Sequence, residues 1–261
     1  MKHVADPSHP RYKSLLMRAK IEAAAKAGLL AESALIAHGR GEAFDYLLGE
    51  RTCASAMQAT RETAARLMKA EHPIISLNGN TVALAAEELM KCAALIGADV
   101  EINIFYRTEK RMELLLSSVS ETKDLIKKEI PDGFSADRWS RMVESVRILG
   151  SEPNGLIPGL KGPRAKCHSD GILSADVLLV PLEDGDRCEA LVAMGAEVIV
   201  IDLNPMSRSA RMASVTVVDE LTRFAVNLFE ELKNPGMPDA DWDNQSILNS
   251  ALNEIVQGIA K

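Results

Sequence analysis

The chain has 261 residues, with 30 Lys and Arg against 37 Asp and Glu, a net charge of −7. Its 47% hydrophobic content supports a sizeable core, which excludes an intrinsically disordered chain. The acidic balance argues against nucleic acid as a partner, since phosphate neutralisation needs a basic surface, but it leaves room for a local anion site.

Aromatic residues make up only 4%, so the core rests on aliphatic residues and Met. Cys53, Cys92, Cys167 and Cys188 form no C-x-x-C pair, which reads as free thiols in a reducing, cytoplasmic setting. Arg18 interrupts the first apolar run, against a signal peptide. No charge-free apolar run is long enough for a membrane span.

In chain order, residues 11–27 read as a helix after Pro10 that stops at Gly28. Residues 34–37 read as a short buried strand running into His38-Gly39-Arg40-Gly41-Glu42. A helix over 52–70, with Thr52 as its cap, leads to a strand at 73–77, which Asn78-Gly79-Asn80 stops. A helix at about 81–96 and a strand at 100–106 follow, then a helix from Thr108. Two further helices are expected near 121–129 and 137–148, then a proline-bearing loop. Residues 176–181, 198–201 and 214–218 read as strands, with a helix at 186–194 ending at Gly195. Short apolar strands alternating with helices predict an α/β fold: a Rossmann-like, mostly parallel sheet covered on both faces, with added N- and C-terminal helices. Residues 1–232 are expected to form one such domain. Residues 233–243 read as a linker, and the tail to 261 as an amphipathic helix (Ile247, Leu248, Ala251, Leu252, Ile255, Val256, Ile259) packing on its own domain or on a second subunit.

In such a sheet, ligands bind beyond the carboxyl ends of the strands. Four expected strand ends carry polar, glycine-bearing segments: 38–42, 78–80, 183–187 and 202–209. Glycines admit a phosphate to the backbone, helix N-termini favour anions, and arginine supplies a bidentate clamp. Ordinary βα turns favour the same residues, so each turn alone is ambiguous. Arg11 and Arg18, seven apart, share one side of the first helix. His38 reads as an acid or base, or as a turn histidine. Asp184 and Asp186 read as Mg²⁺ ligands or as helix caps; no metal-ligand set is assigned. Neither G-x-G-x-x-G nor G-x-x-x-x-G-K-[ST] occurs at these turns.

Ser-His-Pro-Arg-Tyr at 8–12, the block 35–50, Asn-Gly-Asn at 78–80, the block 103–109, Pro-Leu-Glu-Asp-Gly-Asp-Arg at 181–187 and the block 202–210 together resemble the archaeal phosphopantothenate synthetases, the 4-phosphopantoate–β-alanine ligases. These blocks span nearly the whole chain; region 120–160 matches poorly and receives no role. The resemblance implies a homodimeric ATP-dependent ligase with a Rossmann-like fold. It would join 4-phosphopantoate to β-alanine through an acyl-adenylate, with Mg²⁺ accompanying ATP, to give 4'-phosphopantothenate for coenzyme A biosynthesis. It further implies nucleotide contacts at Arg18, Arg40, Asp202, Leu203, Asn204, Arg208, Ser209, Glu220 and Leu221. His38, Gly39, Asn78 and Asn80 are added as candidates for the phosphopantoate end, and Arg40 and His38 as catalytic candidates. Cys188 and Met206 stand where Thr and Leu are expected in many relatives. Two other readings are weighed: a nicotinamide-dependent oxidoreductase, disfavoured by the incomplete glycine fingerprint, and a non-catalytic nucleotide sensor.

Overall fold

The computed structural model describes residues 5–258, so Ile259 of the expected C-terminal apolar face lies outside the described residues. The strands are β1 (Pro73–Leu77), β2 (Asp99–Ile102), β3 (Ile148–Leu149), β4 (Gly155–Leu156), β5 (Lys166–Cys167), β6 (Val177–Pro181), β7 (Glu197–Ile201) and β8 (Val215–Val217). Six of them form one parallel sheet in the order β3-β2-β1-β6-β7-β8, and β4 and β5 pair as a small antiparallel hairpin. The α/β class and the mostly parallel sheet expected from the sequence are what is observed. The order reverses at β1, whose neighbours are β2 on one side and β6 on the other, and such a reversal opens a crevice at the carboxyl edge.

The helices are α1 (Tyr12–Lys26), α2 (Ser33–Leu47), α3 (Ala54–Lys69), α4 (Gly79–Ile96), α5 (Glu109–Ile126), α6 (Ala136–Ser145), α7 (Gly185–Ala193), α8 (Arg208–Met212), α9 (Leu221–Leu232) and α10 (Asn244–Gly258). The continuous apolar strands divide residue by residue between the two faces, as the period of two requires. Ile75, Leu77, Leu179, Ile199 and Ile201 pack under α3, α4 and α9, whereas Ile74, Leu178, Val180, Val198 and Val200 pack with Cys188 and Leu191 of α7.

Several sequence expectations are corrected. Residues 34–37 are not a buried strand: they open α2, with Leu35 and Ile36 exposed. A four-residue apolar run does not distinguish strand from helix, and Ala, Leu and Glu around it are strong helix formers. His38 to Glu42 is therefore helical rather than a βα turn. Residues 121–126 finish α5 instead of starting a separate helix, and residues 148–149 are β3, beyond the end of α6. Thr52 does not cap α3: Cys53 holds the cap position, and the Thr52 hydroxyl donates to Asp219 at 2.6 Å. Helix α9, for which the sequence reading provides no element, packs Phe224, Ala225, Leu228 and Phe229 into the core.

Helix α10 lies against α3, α8 and β8 of its own chain and buries Ile247, Leu248 and Ala251, while Val256 stays exposed. Residues 233–243 carry no helix or strand, yet the Asp239 N–H donates to the buried Glu62 carboxylate at 3.0 Å. Among the described residues no helix is long and apolar enough to cross a membrane.

Candidate functional site

A cavity of about 490 Å³ opens at the carboxyl edge of β1, β2, β6 and β7, roofed by α1 and α2. It gathers most of the candidates from distant parts of the chain: His38 and Arg40 from α2; Asn78 and Asn80 after β1; Asp202, Leu203, Asn204, Arg208 and Ser209 after β7; and Glu220 and Leu221 after β8. Two candidates are not on its wall. Gly39 is on the exposed side of α2 with open space where a Cβ would stand. Arg18 is on α1, bound to Glu42 at 2.6 Å, and Glu42 itself lines the cavity.

Helix α2 reaches the sheet edge through ion pairs. Arg11, at the N-cap of α1, and Arg18 of α1 both donate to Glu42, and Arg11 also reaches Glu50 at 2.8 Å. At the other end, Arg223 of α9 is clamped between Asp45 at 2.5 Å and Asp219 at 2.7 Å. Burial pushes both of these carboxyls up, and the two acids hold Arg223 protonated above its ordinary range despite its own burial. This network was invisible to sequence reasoning, because its members are separated by up to 178 positions.

The strand-end loops are mutually braced. Asn78 caps α4 by accepting from the Thr81 N–H at 3.0 Å, and its amide donates to the Pro181 carbonyl at 2.9 Å, joining the ends of β1 and β6. Asn80 is buried and donates to the Ala34 carbonyl at 3.2 Å, holding the start of α2. Gly79 is required by close approach, for a Cβ there would sit 2.8 Å from a Leu30 methyl. Leu182, the residue after β6, adopts left-handed backbone (φ 54°), a conformation that costs a non-glycine residue about 1–2 kcal/mol. It is held there by its N–H donating to the Ile201 carbonyl at 3.1 Å. Asp184 is a helix cap, accepting from the Arg187 N–H at 2.9 Å, and Asp186 pairs with Arg208.

After β7, Asp202 accepts from the Asn204 N–H at 2.9 Å and from the Ser207 hydroxyl, so the loop folds around its carboxylate. Burial raises the Asp202 pKa, opposed by these bonds and by the charge of nearby Arg40. Arg40 itself is exposed to the cavity, and among the described residues it pairs with no carboxylate. Ser209 is buried and donates to the Glu183 carbonyl at 2.8 Å, tying this loop to the one after β6. Glu220 caps α9 by accepting from the Thr222 and Arg223 N–H groups.

Burial pulls the pKa of His38 below its ordinary value against the pull of Glu42 and Glu220, so its imidazole is neutral around pH 7. Its Nε2 is buried without a hydrogen-bond partner among the described residues. A neutral imidazole on the wall of a cavity suits proton transfer through the ring nitrogen that is not buried.

Some cavity residues were not assigned individually from sequence, although Glu183 lies in the singled-out segment 183–187. Glu183 grips Arg164 at 2.7 Å and also Arg187, which is fully buried behind the wall and donates to Ser76 at 3.2 Å. The i, i+4 spacing of Glu183 and Arg187 was a visible signal; Arg164, in an aperiodic loop, offered none. Phe105, Tyr106 and Arg111 follow β2 and line the cavity; the strand expected over 100–106 ends at Ile102 instead, and that overlong reading hid Phe105 and Tyr106 from the strand-end rule.

The comparisons with known proteins converge. The family model described as phosphopantothenate/pantothenate synthetase matches residues 55–258. A protein of Thermococcus kodakarensis named 4-phosphopantoate–β-alanine ligase is 44% identical over 253 residues, covering 94% of this chain and 89% of that protein. Ligases of the same name from Methanospirillum hungatei (44% over 221 residues, 85% of this chain and 82% of the relative) and Methanosarcina mazei (40% over 255 residues, 95% and 92%) extend the likeness. Matches of this length and identity uphold the resemblance drawn from the sequence blocks: the chain belongs to the phosphopantothenate/pantothenate synthetase family.

Proposed function

We propose that this carbon–nitrogen ligase joins 4-phosphopantoate to β-alanine with consumption of ATP, through an acyl-adenylate, yielding 4'-phosphopantothenate, AMP and diphosphate for coenzyme A biosynthesis. The observation that carries the reading is a guanidinium with no ion-pair partner among the described residues, Arg40, facing a crevice at the topological switch of the sheet in a chain of this family. In the first step an oxygen of the pantoate carboxylate bonds to the α-phosphorus of ATP, and the bond from that phosphorus to diphosphate breaks. In the second, the β-alanine amine bonds to the acyl carbon, the bond to AMP breaks, and the amine loses a proton.

Such transfers need positioning and charge stabilisation more than a protein nucleophile. Arg40 would draw the nucleotide phosphates, Arg208 would join it by exchanging Asp186 for phosphate, and Asp202 and Asn204 retain lone pairs for ribose hydroxyls. Neutral His38 is the group suited to take the amine proton. Mg²⁺ fits only as a companion of the nucleotide. Among the described residues no cluster of three His, Cys, Asp or Glu side chains could cage it, and the cation commonly rests on phosphate oxygens, waters and one or two carboxylates. Glu42, Asp202 and Glu220 are cavity carboxylates with capacity for that, and the ion would neutralise phosphate charge there.

The test is product analysis with ATP, Mg²⁺, 4-phosphopantoate and β-alanine. AMP and diphosphate are expected in equal amounts with 4'-phosphopantothenate, and only when both carbon substrates are present. ADP as the nucleotide product would overturn the acyl-adenylate.

The proposal extends to a homodimer acting in the cytoplasm. The four buried thiols, none in a disulfide, suit a reducing compartment. Leu35, Ile36, Tyr46 and Leu47 are exposed on α2, with Ile36 and Leu47 eleven positions apart and hence on one side. A second copy covering this face is expected to be lost in Ile36→Glu. Light scattering would then report half the wild-type mass, and an unchanged mass would assign the dimer contact elsewhere.

A further inference from the structure

Four arginines line the cavity: Arg40, Arg111, Arg164 and Arg208. Two are already neutralised, Arg164 by Glu183 and Asp184 and Arg208 by Asp186. Arg40 and Arg111 pair with no carboxylate among the described residues. They also stand at opposite ends. Arg40 is felt by Asp202, beyond β7, whereas Arg111 sits in the first turn of α5, beyond β2. Three strand spacings separate β2 from β7, about 14 Å at the usual 4.8 Å. One cavity therefore offers two cationic ends, on either side of the β1/β6 crevice.

Arg111 is held in place without being used up. Its Nη1 donates to the Tyr106 carbonyl at 2.6 Å, while its Nε is buried and has no acceptor. Nη2, by contrast, is not buried and makes no hydrogen bond among the described residues, so it is the donor a phosphate oxygen can reach. Between the two ends the N-terminus of the 18-residue α4 faces the cavity through Gly79 and Asn80, a further favourable field for an anion. Beside Arg111, Phe105 and Tyr106 stack edge to face with ring centres 4.9 Å apart, an apolar wall for a short aliphatic acid.

Resting on the ligase reading, we propose that Arg111 binds the phosphate monoester of the acid substrate and so selects the phosphorylated acid over the unphosphorylated one, while the nucleotide phosphates occupy the Arg40 end. The reacting carboxylate of an acid anchored at Arg111 then extends toward the α-phosphate from the opposite side.

Steady-state kinetics of Arg111→Gln, with each substrate varied in turn, test the assignment. The KM for 4-phosphopantoate is expected to rise roughly 10- to 150-fold, the worth of a hydrogen bond to a charged group, with the KM values for ATP and β-alanine unchanged and Arg111→Lys intermediate. Inorganic phosphate is expected to compete with 4-phosphopantoate in the wild type and to inhibit Arg111→Gln less. An unmoved KM for 4-phosphopantoate, or an equal rise for all three substrates, overturns the role of Arg111. Should Arg111→Gln fail to fold, the wild type decides: phosphate competing with 4-phosphopantoate supports the second anion site, and phosphate competing with ATP alone overturns it. A wild-type protein that does not condense the two carbon substrates overturns the ligase reading instead.

Discussion

Arg40→Ala is expected to lower kcat by about 100- to 1,000-fold, the usual effect of deleting one preorganised donor to developing charge, while leaving the melting temperature nearly untouched. The two halves of this expectation have separate causes. Arg40 stands on the cavity side of α2, exposed, with no ion pair among the described residues, so its removal breaks no packing and strands no partner. Exposed substitutions of this kind usually change stability by less than about 0.5 kcal/mol. Its charge acts on Asp202, whose carboxylate loses a nearby cation but keeps the Asn204 and Ser207 hydrogen bonds. The energy of Arg40 is therefore available to a ligand. Arg40→Lys keeps the charge but not the planar fork, and recovers only part of the rate. A single-turnover measurement of diphosphate release from ATP and 4-phosphopantoate isolates the step in question. Normal release in Arg40→Ala would remove this residue from the site.

The strands at the centre of the sheet were legible because each is buried on both faces. Ile74-Ile75-Ser76-Leu77 and Val198-Ile199-Val200-Ile201 are near-continuous apolar runs bounded by polar turns, and little else produces that pattern. Helix α2 was not legible for a related reason. Ala34 to Ala37 imitates a buried strand, and Gly39 and Gly41 imitate the turn that should follow it. Gly41 instead lies in the helix facing Leu203, whose methyl is 3.4 Å from where a Cβ would stand, a relation across 162 residues that no local pattern encodes. The candidate residues at strand ends could still be assembled from sequence, since topology alone sends those ends to one edge. What holds them there could not. Asp45 with Arg223, and Arg164 with Glu183, are long-range pairings whose partners appear only once the chain is folded.

The second large effect concerns that hidden layer. Glu183→Gln is expected to destabilise the fold by about 3–5 kcal/mol, the cost of removing one partner from a buried ion pair. At roughly 2–4 °C per kcal/mol for chains approaching this size, that is a fall of about 6–20 °C in Tm. The Glu183 carboxylate is almost completely buried and receives Arg164 at 2.7 and 3.0 Å, Arg187, and the Asp184 N–H at 2.8 Å. Arg187 has no solvent exposure, and burial lowers its pKa against the attraction of Glu183. Its Nε finds no acceptor among the described residues, so its direct partners are this carboxylate and the Ser76 hydroxyl, with the charge of Glu101 acting from beyond ion-pair distance. A neutral amide at 183 leaves Arg187 buried without a direct ion-pair partner, while Arg164 keeps Asp184 at 2.9 Å. The loss should therefore reside mainly in the Glu183–Arg187 pair, and the double variant Glu183→Gln/Arg187→Met should be more stable than Glu183→Gln alone, because the stranded cation is gone and an apolar side chain of similar length fills its place. Urea melts of the wild type, both single variants and the double complete the cycle. A Glu183→Gln protein with wild-type stability, or a double variant whose loss equals the sum of the singles, would show that the charge of Arg187 is compensated elsewhere and that this cluster does not brace the cavity floor.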